Sequence, residues 1–144
     1  MQCVVCHDAG GAEVLASYVS RQGGEWIFVL EGPARKVFER RFGPVAGMSL
    51  DDAMAAGSQF LTGSSWQSDL EWCAIAAARR AGKPVATFLD HWVNYRERFI
   101  REGVECLPDS IWVGDDYALE RARAVFPEIE IRLVANPYFQ DVRE

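Results

Sequence analysis

Residues 3–22 read CVVCHDAGGAEVLASYVSRQ, and this stretch decides the fold class. A short apolar run leads into a glycine-containing turn. After the turn, Val14, Leu15, Tyr18 and Val19 recur at the three- and four-residue spacing of a helix. The stretch therefore predicts a buried strand, a tight turn and an amphipathic helix. A chain that repeats such units is typical of a parallel sheet with helices on both faces.

The same unit recurs along the rest of the chain. Further strands are predicted at EWIFVLEG (25–32), SQFLTG (58–63), PVATFLD (84–90), SIWVGDD (110–116) and IEIRLVANPYF (129–139). Further helices are predicted at PARKVFERRFG (33–43), SSWQSDLEWCAIAAARRAG (64–82) and YALERARAVFPE (117–128). Between them, VAGM (45–48) is a candidate short strand and SLDDAMAAG (49–57) a candidate serine-capped helix. The sequence predicts one doubly wound, Rossmann-like α/β domain over residues 1–144, with 136–144 as a possible start of a linker.

The composition favours an ordinary globular protein without a nucleic-acid partner. Hydrophobic residues make up 49% and charged residues 25% of the 144, as in water-soluble domains. The formal net charge of −6 disfavours phosphate-backbone binding, which needs a basic face. No signal peptide is visible, and no apolar run approaches the ~20 residues that span a bilayer. We expect a cytoplasmic protein with no membrane span.

The cysteines are expected to be free thiols. Cys3 and Cys6 form a C-x-x-C pair, which can signal a redox pair or half of a zinc site. Within a strand, however, side chains three apart point to opposite faces, so these two would not converge. Cys73 and Cys106 supply no second pair. Neither a metal nor a cofactor is predicted.

Polar and aromatic residues collect where the predicted strands end. In open parallel sheets, ligands bind beyond the carboxyl ends of the strands. The candidate site residues at that edge are His7, Asp8, Gly10, Gly11, Ser64, Ser65, Trp66, Gln67, Ser68, Asp90, His91, Trp92, Asn94, Tyr95, Asp116 and Asn136. Both histidines of the chain belong to this set, and the opposite edge carries no comparable one.

His7 is the candidate general base, because imidazole changes its charge near neutral pH. Asp8 is its neighbour, but adjacent residues seldom make good contacts. Asp90 or Asp116, from other strand ends, is therefore the preferred carboxylate partner. The alternative is a half-buried imidazole bonded to a backbone carbonyl. Gly10 and Gly11 suit an anion-binding turn, or a turn that needs glycine only for its backbone.

The remaining candidates suit the binding of a sugar or another small polar molecule. Hydroxyls and amides from Ser64 to Ser68 are hydrogen-bonding groups for sugar hydroxyls, although such a run also describes an ordinary helix cap. Trp66 is unusual in a cap, and aromatic faces stack on sugars. Trp92 and Tyr95 either do the same or anchor the following loop to the core.

The order of elements resembles the N-terminal half of GT-B-type glycosyltransferases and the related UDP-sugar 2-epimerases. The resemblance lies in FLTGSSWQSDLEWCAIAAARRAGKPVATFLDHW (60–92) and in PDSIWVGDDYALERARAVFPEIEIRLVANPYFQD (108–141), which ends in Asn-Pro. It implies that His7 deprotonates an acceptor hydroxyl and that Asp90 is an acidic reaction residue. The family's sugar-nucleotide-binding C-terminal domain has no counterpart here. Three explanations are open: a second chain supplies that half, the chain is a truncated or isolated half, or the half-fold has become an enzyme or binding module of its own that closes its cleft as a homodimer.

Three functions remain open at this point. The first is a glycosyltransferase-like acceptor-side domain in polysaccharide or sugar metabolism, which binds a sugar or sugar nucleotide for hexosyl transfer or epimerisation. The second is a stand-alone enzyme acting on a sugar, a nucleotide or another small polar molecule. The third is a non-catalytic binding or assembly module.

Overall fold

The computed structural model describes residues 1–45, 47–64, 68–89 and 96–134. In chain order its elements are β1 (Gln2–Cys6), α1 (Ala9–Gln22), β2 (Trp26–Leu30), α2 (Pro33–Phe42), α3 (Leu50–Ala56), β3 (Gln59–Thr62), α4 (Leu70–Arg80), β4 (Val85–Phe88), a 3₁₀ turn (Arg96–Phe99), β5 (Ile100–Arg101), β6 (Val104–Glu105), β7 (Ser110–Val113), α5 (Asp116–Val125) and β8 (Glu130–Leu133).

Six parallel strands form one sheet in the order β2-β1-β3-β4-β7-β8. Helices α1 and α2 pack on one face, while α3, α4 and α5 pack on the other. The predicted Rossmann-like α/β fold with helices on both faces is confirmed. None of the helices in the described part of the chain is long and apolar enough to cross a bilayer.

Strand β1 shows how the pleat divides the core. Cys3 and Val5 pack among the residues of the α3–α5 face, whereas Val4 and Cys6 pack under α1 and α2. All four side chains are fully buried, which is why the strand reads as a continuous apolar run. The C-x-x-C pair is therefore split across the sheet, and both thiols are free, as the alternation of a strand predicts.

Burial makes the Cys3 thiol unreactive, and this can be tested directly. Desolvation raises the pKa of Cys3 to about 12, so even at pH 9 only about one thiol in a thousand is the reactive thiolate. With Ellman's reagent on the folded protein, we expect exposed Cys73 to react first, and Cys3 to react only after unfolding. C73S should remove the fast phase. Labelling of Cys3 in the folded protein, found by peptide mapping, would contradict the structure.

Several element boundaries differ from the prediction. Helix α4 begins at Leu70 rather than in the serine run; Asp69 precedes it, and the Ser68 hydroxyl accepts from the Leu70 amide at 3.1 Å. Among the described residues of the segment 45–48, Gly47 forms a single bridge with Phe28. The last strand ends at Leu133. The serine cap of α3 is confirmed, since Ser49 accepts from the backbone amide three residues later.

The β5–β6 hairpin was not predicted. Its strands are two residues each and join through a turn in which Glu102 has φ 51° and Gly103 φ 77°. Runs this short carry no detectable alternation of apolar and polar residues.

Candidate functional site

The candidate site lies where the strand order reverses. Strand β1 has β2 on one side and β3 on the other, so the chain leaves β1 in one direction and returns on its opposite flank. A crevice opens at such a switch point because successive connections diverge to opposite faces of the sheet. The residues that directly follow these three strands are His7 and Asp8, Glu31 and Gly32, and Gly63 and Ser64.

His7 and Asp8 form a hydrogen-bonded pair at this edge. The His7 Nδ1 atom lies 2.7 Å from Asp8 Oδ1, with 17% and 32% of the two side chains exposed. An ionised carboxylate can only accept, so Nδ1 carries the proton in this contact. In the neutral ring, Nε2 then presents a lone pair. The pair thus holds the imidazole in the tautomer and orientation that a general base requires.

Gly32 packs closely against the Nε2 side of the imidazole. Its φ of 55° lies in the left-handed region, and a Cβ at this position would stand 2.7 Å from His7 Nε2. The Ala34 amide donates to the His7 carbonyl oxygen at 2.9 Å, and the Glu31 amide donates to that of Cys6 at 3.2 Å. These bonds hold the end of β2 against the end of β1. Beside Nε2 there is therefore room for a glycine but not for a larger residue, and Gly32 is itself solvent-exposed.

Two further glycines allow a close approach on the other flank of β1. A Cβ on Gly11 would lie 3.7 Å from the Gly63 Cα, and one on Gly63 would lie 2.6 Å from Glu71 Oε2. Glu71 is only 3% exposed although it belongs to the first turn of α4. Its carboxylate lies against the Gly63 backbone, next to the Cys6 sulfur. A buried acid therefore adjoins the floor of the site.

A groove lies along α2 beside the start of α1. Ala9, Pro33, Lys36 and Arg40 line this open groove of about 650 Å³. Arg40 Nη2 contacts Glu13 Oε1 at 3.0 Å, which links the two helices. The groove therefore carries the basic side chains of Lys36 and Arg40.

The structure brings some predicted residues together and separates others. Gly10 and Gly11 both lie in the first turn of α1, the former exposed and the latter buried. Ser64 is 6% exposed at the end of β3. The preference for Asp116 as the partner of His7 was wrong. Asp116 starts α5, and its strand lies three positions from β1, about 14 Å at the usual strand spacing.

Asp8, and not an acid from another strand end, is the carboxylate that contacts His7. The ring and the carboxylate face each other because the chain turns from strand to helix between them. Asp115, in contrast, uses its carboxylate to cap α5 by accepting from the Ala118 amide at 2.7 Å. Gly32, Gly63 and Glu71 were not predicted. For Gly32 the available signal was a glycine directly before the proline that starts a helix.

The remaining candidates lie outside the described residues, and their roles stay predictions. They are Ser65, Trp66, Gln67, Asp90, His91, Trp92, Asn94, Tyr95 and Asn136. Within the described ranges, no three His, Cys, Asp or Glu side chains come together as a metal site.

Comparison with protein-family models, with curated proteins and with solved structures gives no match for this chain.

Proposed function

We propose that the domain binds a sugar at the carboxyl edge of β1 and β3 and is the acceptor-side half of a GT-B-like glycosyltransferase. The observation that carries the proposal is the His7–Asp8 pair, which orients a partly exposed imidazole at this edge. An acceptor hydroxyl that reaches Nε2 meets a base that is already oriented.

The reaction balances with the groups named. The acceptor hydroxyl oxygen forms a bond to the anomeric carbon of a sugar nucleotide while the bond from that carbon to the diphosphate breaks. His7 Nε2 takes the hydroxyl proton, and Asp8 stabilises the imidazolium that results. The nucleotide diphosphate leaves with the bonding electron pair. The nucleotide-binding half is supplied by another domain or a second chain.

The surroundings of the pair support a small polar ligand. Lys36 lines the groove along α2, and its ammonium is a donor for hydroxyl or phosphoryl oxygens. Gly32 is exposed directly after β2. The position at the switch point of a parallel sheet is where ligands bind in this architecture. The proposal also agrees with the net charge of −6, because a neutral sugar requires no basic surface.

Saturation-transfer NMR on the purified chain tests the proposal. Glucose, galactose, N-acetylglucosamine and UDP-glucose serve as probes. We expect at least one free sugar to receive saturation, and H7Q to weaken its binding at least tenfold, since a lost hydrogen bond at a polar site has about this effect. The R123Q variant, changed at an exposed position of α5 on the other side of the sheet, should bind as the wild type does.

The other outcomes discriminate among the functions. Binding of UDP-glucose with a contribution from the uridine would indicate a stand-alone enzyme and contradict the acceptor-side assignment. No saturation of any probe, or equal binding by H7Q and wild type, would overturn the proposal.

A further inference from the structure

The amino-terminal edge of the sheet, opposite the His7 site, holds a separate cavity of about 170 Å³. At ~30 Å³ per water molecule this is room for five or six waters, or for one sugar ring. Its walls include Trp26, Trp112 and Arg132, with Gln2, Gln59 and Ser110 between them. The aromatic and basic groups come from three separate strands. No single segment of the sequence therefore indicates a ligand site at this edge.

Strand register explains why these side chains share one surface. Gln2 pairs with both Trp26 and Gln59, and Trp112 pairs with Arg132. Side chains that are paired across neighbouring strands point to the same face of the sheet. Ala86 and Leu61 form another paired row. Small Ala86 lies on the floor of the cavity, and a longer side chain there would fill it.

Tyr18 of α1 connects the two tryptophans. Its ring centroid is 6.4 Å from that of Trp26 and 5.1 Å from that of Trp112, both in edge-on geometry. The Arg132 guanidinium carbon lies 5.6 Å from the centroid of the Trp112 ring. Burial raises the pKa of the Tyr18 phenol, and the positive charge of Arg132 partly offsets that rise. An arginine, two indoles and a phenol thus form one cluster.

Among the described residues, the cluster contains one buried hydrogen-bond donor without an acceptor and one exposed guanidinium. Trp112 Nε1 is buried and has no acceptor within the part of the chain that the structure describes. The carboxylate of Glu130 approaches Arg132 no closer than 3.8 Å, which is long for an ion pair. Both donors are suited to an anionic oxygen.

The acidic residue on the cavity wall does not oppose an anion strongly. Asp109 Oδ1 accepts from Arg79 at 2.6 Å, and its Oδ2 accepts from the Val85 amide at 2.9 Å. Its charge is therefore paired with that of Arg79. The amide and hydroxyl groups of Gln2, Gln59 and Ser110 supply neutral partners for sugar hydroxyls.

We propose that this cavity binds a monosaccharide that carries a carboxylate. The carboxylate accepts from Trp112 Nε1 and Arg132, the ring lies against the Trp26 indole, and the hydroxyls meet the two glutamines. This site is independent of the proposed reaction at His7.

The indole N–H signals in a ¹⁵N–¹H correlation spectrum test the proposal, with the Trp112 signal assigned by W112F. On titration with D-glucuronate, we expect that signal to shift and saturate, because its N–H gains an acceptor. The Trp72 indole donates to the Phe99 carbonyl at 3.0 Å and is an internal control whose signal should not move. D-glucose, which lacks the carboxylate, and acetate, which lacks the ring, should bind at least tenfold more weakly.

Variants separate this site from unspecific binding. R132M should weaken glucuronate binding at least tenfold, and A86L should abolish it by filling the cavity. R121M is the matched control, because Arg121 is also an exposed arginine over an aromatic ring, with its guanidinium carbon 5.8 Å from the centroid of the Tyr117 ring on α5. Thermal melts of each variant verify folding, and R121M should leave glucuronate affinity unchanged.

Four results would overturn the proposal. The first is no shift of the Trp112 signal up to about 50 mM glucuronate, which excludes even weak millimolar binding. The second is equal affinity for glucuronate, glucose and acetate, and the third is full glucuronate binding by R132M. The fourth is a Trp112 shift that depends on protein concentration alone. The last would make this surface a contact between copies of the chain.

Discussion

Replacing Gly32 with alanine should lower the free energy of unfolding by about 2–3 kcal/mol and abolish sugar binding at the His7 site. Residue 32 has φ 55° and ψ −142°, a region that only glycine adopts readily and that costs another residue about 1–3 kcal/mol. The new Cβ would stand 2.7 Å from His7 Nε2, closer than the two atoms can pack. The ring must therefore shift, which breaks its 2.7 Å bond to Asp8 and moves the proposed base away from the acceptor hydroxyl.

Urea unfolding monitored by circular dichroism measures this loss, and two variants isolate its causes. Gly43 ends α2 with φ 79° and has no atom within 4 Å of a Cβ, so G43A should show the backbone cost alone. In an H7A background the contact with the imidazole is absent, and G32A should then cost no more than G43A. A G32A protein as stable as G43A with His7 present would show that the ring has room to move.

Replacing Gly63 with alanine is the second change with a large expected effect. The backbone of Gly63 lies outside the left-handed region, so the effect comes from packing alone. A Cβ there would lie 2.6 Å from Glu71 Oε2 and 3.4 Å from the Cys6 sulfur. Because Glu71 is 3% exposed, its carboxylate has little room to move without losing buried contacts. We expect the free energy of unfolding to fall by about 1–3 kcal/mol, the penalty for disturbing a buried polar group.

Gly11 is the matched control, since it faces Gly63 across the same contact. A Cβ on Gly11 would meet its nearest atoms at 3.7 and 3.8 Å, which is ordinary van der Waals contact. Alanine is also the better helix former by roughly 0.5–1 kcal/mol, so G11A should be as stable as the wild type or more stable. Equal denaturation midpoints for G63A and G11A would contradict the assigned position of the Glu71 carboxylate.

The sheet could be predicted because strands buried on both faces differ from other segments. Strands such as β1 carry apolar side chains at successive positions, and after the turn the apolar residues of α1 recur at helical spacing. The two-residue strands of the hairpin have no such signal. The bridge at Gly47 was also beyond prediction, since a single pairing leaves no pattern.

The partner of His7 shows where sequence reasoning failed. Parallel strands place their carboxyl ends at one edge, and so His7 and Asp116 were expected to be candidates for contact. Their distance depends on the order of strands across the sheet, and three positions separate β1 from β7. The residue pattern of an individual strand does not indicate which strands lie beside it in the sheet.

By itself, the sequence determined the class of fold, the two-faced burial of the strands and the edge at which His7 and Asp8 lie, because these follow from local periodicity. Only the tertiary structure decided which groups meet. In the sequence, Gly32 is an ordinary glycine before a helix, and its contact with His7 arises only because β2 lies beside β1. Glu71 is likewise an ordinary helix residue, and its contact with Gly63 arises only from the packing of α4. Contacts between residues distant in the chain arise from strand order and close packing, which no local pattern encodes.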